Sequence, residues 1–154
     1  MMVGQTAPDF TLYDSEKKQV SLHDLKGSNV LILFFPLAFT STCTAELCSV
    51  RDNIGFYNNS QAQVLGISVD SVYTLAKYKA EQGLNFTLLS DFNKEVSKAY
   101  GSLYETFGLG MKGVRKRSAF VIDKQGIIRY SEVLEKASEV PDFEAIQSTL
   151  KSLS

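Results

Sequence analysis

The sequence predicts a three-layer α/β domain with a mixed central sheet, and three observations carry that expectation. An unbroken apolar run, Val30-Leu-Ile-Leu-Phe-Phe35, has the length and the β-branched and aromatic content of a strand buried on both faces. Helical periodicities alternate with extended segments through the middle of the chain. Two late extended segments, Ser118 to Ile122 and Ile127 to Val133, flank the turn Asp123-Lys-Gln-Gly126 and read as a hairpin.

The elements follow in order. Thr11 to Tyr13 and Gln19 to Leu22 form a short hairpin around the polar turn Asp14-Ser-Glu-Lys-Lys18, as an N-terminal extension. Val30 to Phe35 is the first core strand. Cys43 to Asn58 is helical, because Cys43, Leu47, Val50, Ile54 and Tyr57 recur at helical spacing and make one apolar stripe. Cys43 stands at the N-terminal end of that stripe, so its thiol is expected to face inward near the strand ends. Gln63 to Val69 is a second strand; Asp70 or Ser71 caps a helix running through Gln82, and Gly83 suits the left-handed residue that ends it. Phe86 to Leu89 is extended, Asp91 or Asn93 starts a short helix closed by Gly101, and Pro141 to Leu150 is a final helix. Strands interleaved with helices and followed by a hairpin are the pattern of a thioredoxin-like fold, its mixed sheet flanked by helices.

Composition narrows the function. The chain has 154 residues, 44% of them hydrophobic, enough for a single domain over 1–154 that buries about two-thirds of its unfolded surface. No repeat, low-complexity tract or Pro-, Gly- or Ser-rich linker divides it. Sixteen basic against 17 acidic residues leave a net charge of -1, which gives no global attraction to nucleic acid or to an anionic membrane. Small substrates or protein partners fit better. Met1 to Pro8 has no basic start followed by an apolar run, and Leu31 to Phe35 is too short to span a bilayer, so the expected setting is cytoplasmic. Two cysteines cannot build a secreted disulfide framework. A structural zinc site wants four Cys or His ligands where this chain has Cys43, Cys48 and a distant His23, so neither metal nor cofactor is expected.

The chemistry concentrates in Pro36-Leu-Ala-Phe-Thr40-Ser-Thr-Cys43-Thr-Ala-Glu46-Leu-Cys48. It follows the buried strand and opens the helix, placing Cys43 where unpaired N–H groups and the positive end of the helix dipole favour a thiolate. Redox chemistry at sulfur is the reading, against a small buried core cysteine. Thr40 is either a local side-chain-to-backbone partner or a functional hydroxyl, and Pro36 terminates the strand. Glu46, three residues after Cys43, complements the dipole. Arg117 ends the basic cluster Lys112-Gly-Val-Arg115-Lys116-Arg117, whose default is a solvated surface. His23 has no motif around it and reads as a loop residue.

Phe34-Phe-Pro36-Leu-Ala-Phe-Thr40-Ser-Thr-Cys43 resembles the active-site signature of the peroxiredoxin family, Pro-x-x-x-Thr-x-x-Cys. Thr6-Ala-Pro-Asp-Phe10, Gly66-Ile-Ser-Val-Asp-Ser71, Leu88-Leu-Ser-Asp91 and Arg117-Ser-Ala-Phe-Val-Ile-Asp123 are similar to further landmarks of the family. The resemblance implies a peroxidatic Cys43, a Thr40 hydroxyl that orients the peroxide and bonds the attacking sulfur, a Pro36 that shields the thiol from water, and a catalytic Arg117 with Arg115 as the alternate. It adds to Glu46 an orienting contact with the arginine. The substrate class it implies is hydrogen peroxide and organic hydroperoxides, with a thioredoxin or glutaredoxin-like reductant and a monomer or homodimer.

Two branches of the family share these signals. Cys48, five positions after Cys43, is similar to peroxiredoxin Q, also called bacterioferritin comigratory protein, where that place holds the resolving cysteine. The Phe-Phe-Pro-Leu-Ala-Phe-Thr run is more similar to the one-cysteine alkyl hydroperoxide reductase E type, in which an external thiol resolves. On an intact helix, positions 43 and 48 stand about 8 to 9 Å apart between Cα atoms. A disulfide spans at most about 6.8 Å, so direct bonding requires the first turn to unwind. Two other classes compete. A disulfide reductase calls for Cys-x-x-Cys where this chain has Cys-x-x-x-x-Cys and no Trp. A non-catalytic thioredoxin-like binding module would not need Thr40, Cys43 and Arg117 together.

Overall fold

The computed structural model of the chain describes residues 3–35, 37, 38, 41–101, 117–134 and 139–153, with only the backbone for 41–44 and 97. Among the described residues seven strands form one sheet: β1 (Thr11–Asp14), β2 (Gln19–Ser21), β3 (Asn29–Phe34), β4 (Ala62–Ser68), β5 (Thr87–Ser90), β6 (Ser118–Ile122) and β7 (Ile128–Val133). The order across it is β2-β1-β5-β4-β3-β6-β7. β3, β4 and β5 run parallel, while β1 and β6 flank them antiparallel, so the sheet is mixed as expected. The N-terminal hairpin joins it through Tyr13 opposite Ser90 and Asp14 opposite Leu89.

Five helices among the described residues connect and cover these strands: α1 (Ser41–Asp52), α2 (Ile54–Asn59), α3 (Val72–Gln82), α4 (Glu95–Ala99) and α5 (Phe143–Leu153). Side chains alternate across a strand, and β3 divides its run accordingly. Leu31, Leu33 and Phe35 pack with Leu47 and Val50 of α1, Tyr57 of α2, Leu75 and Tyr78 of α3, and Ile146 and Leu150 of α5. Val30, Ile32 and Phe34 point the other way, to Phe10, Val96 of α4 and Tyr100. Helices therefore lie on both faces, and the sheet is the middle layer of three.

Cap chemistry settles several alternatives. Ser71 caps α3 by accepting from the Thr74 N–H, and Gly83 closes it at φ 60°. Asp91 accepts from the Val96 N–H and so starts α4 from outside, and Gly101 follows it at φ 65°. Asp142 accepts from the Ala145 N–H, which moves the start of α5 past Pro141.

One long helix over Cys43 to Asn58 is not what forms. The segment breaks at Asn53, whose side-chain Nδ2 donates to the Ser49 carbonyl at 2.8 Å. That carbonyl is the acceptor a continuing helix would offer to the Asn53 backbone N–H, which bonds Val50 O instead. The strand expected to reach Leu22 also stops early, since Leu22–Leu25 is a 3-10 turn carrying the exposed His23.

Candidate active site

The C-terminal ends of β3, β4 and β5 lie side by side, at Phe34, Ser68 and Ser90. Sites in open α/β sheets gather at such ends. The chain leaves β3 there and enters α1 at Ser41, so position 43 falls in the first turn of the helix. The Cys43 side chain, Pro36, Thr40 and Arg115 lie outside the described residues. Helix α1 starts two residues before Cys43, and its first turn holds no acidic residue. Glu46 therefore does not complement the dipole from the first turn, where the effect is largest; it does something else.

Glu46 and Arg117 form a buried pair. Arg117 Nη1 donates to Glu46 Oε2 at 3.3 Å, and the two side chains are 1% and 0% exposed. Arg117 immediately precedes β6, and its carbonyl accepts from the Leu134 N–H. That bond holds it across from the end of β7, beside the end of β3 where Phe34 pairs with Ser118. A surface arginine in a basic run is thus excluded at position 117. Burial pushes the Glu46 carboxyl up to about 8, outweighing the attraction of Arg117, and the charge of Glu132 adds to the rise. Its second oxygen, Oε1, has no hydrogen-bond partner among the described residues. Glu132 is itself occupied, accepting from the Tyr130 hydroxyl and the Asp142 N–H, both at 2.9 Å.

Positions 43 and 46 share a face of α1, about 60° apart at 100° per residue, whereas 48 lies about 140° from 43. Cys48 points accordingly to α3. Its half-buried thiol packs on the core and donates to Gln82 Oε1 at 3.8 Å. Arg51, one turn on, donates through Nη1 to the Gln82 carbonyl at 2.5 Å. His23 pairs its Nδ1 with Asp9 at 2.8 Å, away from these residues in a surface turn, as a loop histidine would. No cluster of three or more metal-ligating side chains occurs among the described residues.

One residue escaped the sequence reading except as an alternative cap. Asp70, just past β4, accepts the Ala38 N–H on its carboxylate at 2.7 Å. The available signal was the Ser68-x-Asp70 pattern at a strand end, which provides a side chain able to receive a backbone N–H from a neighbouring loop.

A mixed sheet of this order, with a cysteine-bearing helix following β3 and a buried arginine just before the adjacent β6, has the arrangement of a thiol oxidoreductase on the thioredoxin fold. The chain belongs to the AhpC/TSA family, whose model matches residues 3–131. It is 42% identical over 143 residues to alkyl hydroperoxide reductase E of Mycobacterium tuberculosis, covering 91% of this chain and 90% of the relative. Over 128 residues it is 42% identical to a putative peroxiredoxin, bcp, of Coxiella burnetii, covering 82% and 84%. The crystal structure of peroxidoxin BcpB from Mycobacterium tuberculosis superposes with a TM-score of 0.88 at 29% identity, covering 100% of this chain and 99% of that one. Bacterioferritin comigratory protein of Xanthomonas campestris superposes at 0.82 with 25% identity, covering 93% and 90%. The activity is thiol-dependent peroxide reduction.

Proposed function

We propose that the Cys43 thiolate attacks the terminal oxygen of hydrogen peroxide or an organic hydroperoxide. The O–O bond breaks, the leaving oxygen takes a proton and departs as water or an alcohol, and Cys43 is left as a sulfenic acid. An ordinary thiol is only a few per cent ionised at neutral pH, so complete ionisation gains roughly 30-fold, about 2 kcal/mol. The rest of the acceleration comes from donors aimed at the breaking bond, each worth about 2.7 to 4 kcal/mol. Arg117 and Thr40 are those donors, Glu46 orients the guanidinium, and Pro36 keeps water from the sulfur. The observation that carries the reading is the buried Arg117–Glu46 contact on the same side of the sheet as the start of α1. A guanidinium 1% exposed needs a reason to be there.

Cys48 resolves the sulfenic acid: its thiolate attacks the Cys43 sulfur, the S–O bond breaks, hydroxide leaves as water, and an intramolecular disulfide remains. A thioredoxin or glutaredoxin-like dithiol then reduces that disulfide. The reading places the protein in the cytoplasm, where such dithiols are kept reduced, as a single-domain monomer or homodimer. Intact mass after one equivalent of peroxide tests the two-cysteine cycle, which predicts a loss of two hydrogens. A gain of one oxygen instead indicates resolution by an external thiol. Cys43→Ser should abolish turnover without unfolding, and Arg117→Met should slow the reaction with peroxide at least about tenfold. Near-normal turnover in Cys43→Ser, or a loss in Arg115→Met that Arg117→Met lacks, would refute these assignments.

A further inference from the structure

We propose that Asp70 is a positioning residue for the Pro36–Cys43 segment, a role that rests on the reading of Cys43 as the peroxide-reacting thiol. At the end of β3 the Phe35 N–H donates to the Ile67 carbonyl at 3.0 Å. Beyond it the loop is tied to β4 by a side chain, as the Asp70 Oδ2 takes the Ala38 N–H at 2.7 Å. Ala38 lies midway between Pro36 and Thr40. A bond at that point fixes the backbone at Ala38, between the end of β3 and the start of α1.

Asp70 is built to stay where it is. The same Oδ2 accepts from the Ser68 hydroxyl at 2.8 Å, and that hydroxyl oxygen accepts from the Asp70 N–H at 3.1 Å. The Asp70 carbonyl accepts from the Ser90 hydroxyl at 2.5 Å. The Ser68 carbonyl in turn receives the Asp91 N–H at 2.7 Å. The ends of three parallel strands are thereby joined through one residue. Capping α3 does not account for the carboxylate, because Ser71 accepts from the Thr74 N–H. Two donors, the Ala38 N–H and the Ser68 hydroxyl, converge on one carboxylate oxygen, and a 1 Å displacement of a reacting group can cost on the order of 10²-fold in rate.

The test is the second-order rate of Cys43 oxidation by hydrogen peroxide, measured beside the rate of Cys43 alkylation by iodoacetamide. Asp70→Ala should slow peroxide at least about tenfold while alkylation stays within about twofold, because peroxide requires aligned donors and a simple alkylating agent does not. Asp70→Asn, which keeps an oxygen for the Ala38 N–H, should restore the peroxide rate to within about threefold of the parent. Should Asp70→Ala not fold, Ser90→Ala, which releases only the Asp70 carbonyl, should slow peroxide severalfold with alkylation unchanged. A parent-like rate in Asp70→Ala or, where that variant does not fold, in Ser90→Ala overturns the proposal. So does an Asn variant as slow as Ala, or alkylation falling in step with peroxide. Failure of the underlying reading is seen separately, as turnover surviving in Cys43→Ser with Asp70 intact.

Discussion

Glu46 shows how one buried carboxyl couples the site to pH. Its ordinary value of 4.5 rises to about 8, chiefly because burial disfavours the charge. The folded chain thus holds this proton through a range in which the unfolded chain has released it. The stabilising contribution is full below about 4.5 and is lost as pH rises through about 8. Over that window the lost contribution is on the order of a few kcal/mol. Above it the contact with Arg117 is an ion pair. Below it, the guanidinium donates to a neutral acid. Glu46→Gln stays neutral throughout. Urea midpoints should therefore be similar for the two proteins near pH 5, with the parent falling below Glu46→Gln by pH 9. Parallel midpoints across that range would mean that Glu46 is ionised in the folded protein throughout.

At the scale of the element, α1 is where the proposed two-cysteine cycle works against packing. Intact from Ser41 to Asp52, it keeps positions 43 and 48 too far apart for a disulfide, and Cys48 is docked on Gln82 rather than toward Cys43. In the proposed two-cysteine cycle, closing the disulfide must undock Cys48 and unwind the turn before it. Leu47 sits in that turn at 0% exposure, and withdrawing it costs about 1.5 to 3 kcal/mol. Unwinding should stop short of Val50, also fully buried, and of the Asn53–Ser49 bond that ends the helix. Amide hydrogen exchange over Thr42 to Cys48 should therefore accelerate after peroxide treatment while Asn29–Phe34 stays protected. Cys48→Ser should react once with peroxide and accumulate the sulfenic acid or its over-oxidised forms. Unchanged exchange, with Cys48→Ser cycling fully on a low-molecular-weight thiol, would make Cys48 a packing residue.

In the whole molecule, the sheet is the frame on which α1 packs. Gly66 lies in β4, between β3 and β5. A Cβ there would stand 2.8 Å from Leu88 Cδ2 and 3.4 Å from Phe35 Cε1. Replacing Gly by Ala stabilises by about 0.4 to 1 kcal/mol through the unfolded chain where the site has room. Overpacking a filled core costs about 1 to 3 kcal/mol. Leu88 and Phe35 are both 0% exposed, so either must shift within the packed core, and overpacking is expected to win. Gly66→Ala should lower the unfolding midpoint in urea with m unchanged. A midpoint at or above the parent's would show that Leu88 can yield.

Most of the elements, though not the break between α1 and α2 at Asn53 or the 3-10 turn at Leu22, were legible in the sequence, because periodicity and cap chemistry act within about four residues along the chain. The buried run of β3, the Gly83 and Gly101 helix ends and the β6–β7 hairpin are local statements of that sort. The place of Arg117 before β6 was legible through the motif around it. Only the tertiary structure decided what met what. Glu46 and Arg117 are 71 positions apart, Ala38 and Asp70 are 32 apart, and Cys48 and Gln82 are 34 apart. Burial of the Glu46 carboxyl, the choice of Ser71 over Asp70 as the α3 cap, and the release of Asp70 to the loop all follow from sheet assembly. Local sequence specifies which groups need partners; the order of strands decides which groups come within a hydrogen bond of one another.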